Sequence, residues 1–110
     1  MNVTSAPPKH TAIKRTFLNA SSLGANVFVS AVTGGKIRVL SVAVLAAGAS
    51  VVKFQSAATD ISASFSLSIN GGMVLPFNEH GWFETNENEA LNLNLSTAVA
   101  VGASIQYIVL

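Results

Sequence analysis

No cysteine occurs in the 110 residues. Disulfide staples, thiolate metal sites and cysteine nucleophiles are therefore excluded, and the redox compartment is left open. Charge is scarce too. Asp, Glu, Lys and Arg make up 10% of the chain, where a globular protein usually carries about 25%. The formal net charge is +1, so no global field draws the chain to nucleic acid or to an anionic membrane. Long apolar runs are missing as well. The longest, 37–52, is interrupted by Arg38, Ser41, Gly48 and Ser50, is rich in β-branched residues, and falls short of the roughly 20 residues a spanning helix needs. Residues 1–16 hold Pro7, Pro8, Lys9, His10, Lys14 and Arg15 and lack the apolar stretch of a secretory signal, so neither a membrane span nor a signal peptide is expected.

Half of the residues are hydrophobic, and Ser, Thr, Asn and Gly fill most of the polar positions. A surface built from these is neutral and poorly defended against self-association. Such a chain suits an oligomer or a larger assembly better than life as a lone monomer. Its length is that of one domain, able to bury roughly 65% of the surface its unfolded form exposes.

The apolar residues recur with period two. Leu91, Leu93 and Leu95 alternate with Asn92, Asn94 and Ser96, while Phe65, Leu67 and Ile69 alternate with Ser64, Ser66 and Ser68. Ile105, Tyr107 and Val109 alternate with Ser104 and Gln106, although Ile108 breaks the polar face. This is the pattern of half-buried strands, whose register is fixed because a one-residue slip would put every leucine of 91–95 in water. Further strands are expected at 12–18, 25–32, 36–46, 50–56, 73–77 and 82–85. Gly34-Gly35, Ala47-Gly48, Asn70-Gly71-Gly72, His80-Gly81 and Val101-Gly102 punctuate the runs as turns. No amphipathic helix is visible. The expected fold is all-β, an antiparallel, jelly-roll-like β-sandwich of about eight short strands over residues 11–110. Residues 1–10, with their Pro-Pro pair, read as an extended N-terminal arm.

Strand 36–46 stands apart, because Val39, Leu40, Val42, Val44 and Leu45 leave its second half almost without a polar face. A two-layer sandwich covers only one face of each sheet, so these five residues are the expected oligomer interface.

Chemistry-bearing residues are few. Glu79, His80 and Glu84 are possible metal ligands by type. Neighbours in a strand point to opposite faces, however, so Glu79 and His80 read as part of a polar turn. Serines abound without a nucleophile-elbow sequence or a base partner. Gly34-Gly35-Lys36 lacks the upstream glycine and the following Ser or Thr of a phosphate-binding loop. No catalytic residues, cofactor or metal are expected, and the chain reads as a non-enzyme. Lys9, Lys14 and Arg15 form a small basic cluster without interleaved aromatics, a candidate contact for an acidic partner surface or nucleic acid, with solvated charge the plainer reading. Trp82 is either a plug at a sheet end or a contact anchor. With Asn78, Asn86 and Asn88 nearby in sequence, it also keeps a glycan-binding module among the alternatives.

Several segments resemble small structural proteins of tailed bacteriophages. They are Gly71-Gly72 followed by "VLPF" (74–77), "GWFET" (81–85), "EALNLNLS" (89–96), and "IQYIV" (105–109) after Val101-Gly102. Upstream, "GGKIRVLSV" (34–42) and "VVKFQS" (51–56) share the likeness, which covers roughly residues 25–110. The resemblance implies a β-sandwich virion protein, made in the host cytoplasm and placed on the capsid exterior. Its implied role is a decoration or cement protein at junctions of the major capsid protein, with a tail, fibre or adaptor component as the alternative. A homotrimer is the expected assembly, because three weak contacts on one rigid unit raise avidity by about 10²–10⁴. No catalytic or ligand residue is carried over from the likeness.

Overall fold

The computed structural model describes residues 12–110. The expected arm, residues 1–10, and Lys9 within it lie outside the described residues. Ten strands follow in order: β1 (Lys14–Ala20), β2 (Gly24–Val29), β3 (Ile37–Ala46), β4 (Ser50–Ser56), β5 (Thr59–Asp60), β6 (Phe65–Leu67), β7 (Gly72–Leu75), β8 (Phe83–Glu84), β9 (Leu91–Leu95) and β10 (Val101–Val109). Among the described residues none is helical.

Two five-stranded sheets face each other. The first runs β1-β10-β3-β7, with β8 also on β3; the second runs β2-β9-β4-β5, with β6 also on β4. Every pairing is antiparallel. Because β7 and β8 share one flank of β3, and β5 and β6 one flank of β4, the strands fill the positions of a jelly roll. The chain changes sheet between β1 and β2, β2 and β3, β3 and β4, β6 and β7, β8 and β9, and β9 and β10.

Alternation places the core. Val42, Val44 and Ala46 of β3 and Val101, Ala103 and Ile105 of β10 point inward from the first sheet. Val52 and Phe54 of β4 and Leu91, Leu93 and Leu95 of β9 meet them from the second. Each valine, leucine, isoleucine or phenylalanine among them contributes about 1.5–3 kcal/mol when fully buried. At the centre, Phe54 lies 6.2 Å from Phe28 and 4.9 Å from Phe83, ring centre to ring centre. Phe83 thereby fastens the two-residue strand β8 to the opposite sheet.

β3 carries a bulge. Gln106 pairs with Ser41 and Tyr107 with Val39, so Leu40 has no partner on β10. The extra residue switches the inward set from Val42, Val44 and Ala46 to Ile37 and Val39. Leu40 and Ile108 are consequently buried yet lie outside the inter-sheet cluster. Beside the bulge, the chain at 78–82 runs along β3: Asn78 N–H donates to the Leu40 carbonyl at 2.9 Å and Trp82 N–H to the Val39 carbonyl at 2.8 Å.

Two turn expectations change. Val101-Gly102 does not punctuate; both residues lie in β10, where Gly102 sits in register between Asn19 and Leu45. In Asn70-Gly71-Gly72 the positive φ falls on Asn70, at 58°. Gly72 is needed for a different reason, since a Cβ there would overlap the Val44 carbonyl oxygen across the β3–β7 pair.

Candidate functional site

The outer faces of the two sheets are chemically unlike. On the second sheet, Ala25, Asn94 and Lys53 form one cross-strand row and Val27, Asn92 and Gln55 the next. Their polar groups are tied to one another. Asn94 Nδ2 donates to Gln55 Oε1 at 3.2 Å, Gln55 Nε2 donates to Asp60 Oδ1 at 2.8 Å, and Lys53 Nζ donates to Asp60 Oδ2 at 3.1 Å. The hydrogen bond from Gln55, then that from Lys53, holds the Asp60 carboxyl below its usual range. Asn92 Nδ2 donates to the Ala57 carbonyl, leaving its buried Oδ1 without a partner.

The first sheet presents the opposite. One register row runs Phe17, Ser104, Ala43, Val74, and the next runs Asn19, Gly102, Leu45, Gly72. Four large apolar side chains stand out from this side of the molecule: Phe17 is 67% exposed, Val74 69%, Leu45 59% and Phe77 52%. Between the Phe17 ridge on edge strand β1 and the Val74–Phe77 wall lies an open groove of about 690 Å³, floored by Ser41, Ala43 and Ser104. The small floor residues are what make the surface concave. Arg15 marks one end of the groove. There Ser41 Oγ donates to Gln106 Oε1 at 2.9 Å.

The five residues expected at an oligomer interface separate. Val39, Val42 and Val44 belong to the core between the sheets, and Leu40 is buried at the bulge. β3 is an internal strand whose inward face the second sheet covers, so the interface expected on these residues reduces to Leu45, on the rim of the apolar face. Of the basic cluster, Lys14 opens β1 as an exposed residue and Arg15 lines the groove. Trp82 is 42% exposed, and its Nε1–H donates to the Pro76 carbonyl at 2.8 Å, closing the 76–82 loop.

The asparagines around Trp82 in sequence serve loop closure. Asn78 Oδ1 accepts from His80 N–H at 2.9 Å, Asn88 Oδ1 from Gly34 N–H at 2.5 Å, and Asn86 Nδ2 donates to Glu89 Oε1 at 3.2 Å. Glu79 and His80 are both exposed and 3.7 Å apart, while Glu84 is held by Arg38 Nε and Nη2, each at 2.9 Å, with Lys36 at 3.8 Å. Among the described residues no three potential metal ligands converge.

Phe17 and Val74 carry only an indirect signal in the sequence. In a strand, two adjacent apolar residues cannot both face one core. Phe17-Leu18, Val44-Leu45 and Val74-Leu75 each send one member outward, and in the fold three of those outward members share one face. Comparison of the chain with protein-family models and with curated proteins finds no match.

Proposed function

We propose that this chain is a non-catalytic structural protein of a tailed-phage virion, a decoration or cement protein that holds neighbouring protein through the outer face of its β1-β10-β3-β7 sheet. The observation that carries this reading is the apolar face itself. Phe17, Leu45 and Val74 are uncovered on a regular sheet with Phe77 just beyond the end of β7, small neutral residues lie between them, and Arg15 stands only at the margin. Patches of a few hundred Å² of this kind mark protein contacts. Contacts without charge are little affected by ionic screening, which suits a particle that meets varied salt. The jelly roll and the sequence likeness over 25–110 support the same reading, and the jelly roll is an architecture used by capsid proteins.

The test is reconstitution. Particles assembled with the gene for this chain deleted should bind the purified protein at a copy number approaching that of the major capsid protein, and should then resist heating better. Phe17→Ser with Val74→Ser should abolish retention while leaving the circular dichroism spectrum unchanged. Saturation at tail copy number reassigns the protein to a tail, fibre or adaptor position. Absence of any particle binding overturns the proposal.

A further inference from the structure

We infer that the groove on the first sheet is covered by a second copy of this chain, in a two-fold contact whose axis runs along β10 over Ser104, in place of the homotrimer expected from the sequence. The inference rests on the reading of this face as an assembly contact and deepens it: the neighbouring protein held there is a second copy of the chain on the particle, and a variant that breaks the pair loses the avidity that retains it. Phe17, Ser104, Ala43 and Val74 lie in one register row on four successive strands. Strands are about 4.8 Å apart, and face-packed sheets about 10 Å apart. A two-fold axis parallel to the strands keeps residues of one row in that row. Placed over β10, it exchanges the position of β1 with that of β3. Phe17 of each copy then stands over Ala43 of the other, between Ser104 and the Val74 wall. A ridge and the small-residue floor that receives it, one strand to either side of β10, form a self-complementary surface, as a two-fold contact requires.

Area and charge agree with this occupant. Phe17 and Leu45, which the axis brings under the partner's sheet, and Val74, which flanks the partner's Phe17, leave on the order of 350 Å² of apolar surface uncovered. Interfaces are about 57% apolar, so that core corresponds to about 600 Å² per copy, at the lower end of the range for a stable complex. The face has no carboxylate in its two central rows to select a basic partner, and its one margin cation, Arg15, needs only acceptors. The same axis sets Arg15 of one copy over the Ser41–Gln106 pair of the other, which supplies hydroxyl and amide oxygens, and keeps the two Arg15 side chains on opposite sides of β10.

The full-length protein in solution tests this. Light scattering coupled to size exclusion should give twice the 11.4 kDa chain mass at micromolar concentration. Phe17→Ser and Ala43→Arg should each raise the dissociation constant at least about 30-fold. As the chain has no cysteine, Ser104→Cys supplies a single reactive thiol beside the proposed axis. A short bis-maleimide should cross-link it to itself in high yield, whereas Ala25→Cys on the opposite face should not cross-link. A monomeric wild-type protein, a trimer, or cross-linking at Ala25→Cys in place of Ser104→Cys overturns the two-fold contact. If the protein is monomeric yet still binds particles through Phe17, the self-contact fails and the decoration role stands; if it dimerises and no particle retains it, the reverse holds.

Discussion

Thr85 carries a load that its exposed surroundings in the chain do not suggest. It is buried, its Oγ1 accepts the Ile37 N–H at 2.9 Å, and its own N–H donates to the Ile37 carbonyl at 2.9 Å. Ile37 is fully buried, so water cannot replace a lost partner. Thr85→Val keeps the shape and removes only the acceptor. A stranded buried N–H costs about 1–3 kcal/mol, and the added methyl recovers less than about 0.8 kcal/mol. The expected net loss is about 1–2 kcal/mol, or roughly 4–8 °C in Tm for a domain of this size. Urea unfolding followed by Trp82 fluorescence measures it, and amide exchange at Ile37 locates it. Thr85→Ser retains the acceptor and should leave Ile37 protected. Wild-type stability in Thr85→Val, with the Ile37 amide still slow, would refute the assignment of this bond as the clasp between β3 and the 83–85 segment.

Phe54→Ala should destabilise far more, by about 3–5 kcal/mol, because it empties the ring position between Phe28 and Phe83; calorimetry measures the loss. Gly72→Ala should cost about 1–3 kcal/mol, since its Cβ meets the rigid Val44 carbonyl, with exchange protection falling first along β7. For Asp60 the sign follows from a folded-state pKa below the unfolded one. Its contribution to stability is present above the ordinary aspartate range and is lost as pH falls through the lowered value. Carboxyl carbon NMR should place the Asp60 midpoint below that of a model peptide, and Gln55→Ala should move it up; a midpoint at or above the peptide value contradicts the bond network.

Much of the fold was legible because a strand's alternation is written directly in residue types. The segments 50–56 and 91–95 match β4 and β9 at both ends, and their leucine and phenylalanine sets are the core. β5 escaped notice because its hairpin turns on Ala57-Ala58, with Ala57 at φ 53°, where no glycine or asparagine advertises the turn. The bulge at Leu40 was equally silent, as it depends on the partner strand's register. The contact face was legible only in part. Leu45 stood out within an apolar run, but its neighbours Phe17 and Val74 come from strands far apart in sequence. Only the β1-β10-β3-β7 order brings them into adjacent rows.

The most direct test of the apolar face as a protein contact is a concentration series of amide NMR spectra on the wild-type chain. Resonances of Phe17, Ala43, Leu45, Val74 and Ser104 should shift or broaden together as concentration rises, while Ala25, Lys53 and Asn94 on the opposite sheet stay fixed. Shifts confined to the Ala25–Asn94–Lys53 face, or spectra that do not change with concentration and do not respond to added particles, would contradict it.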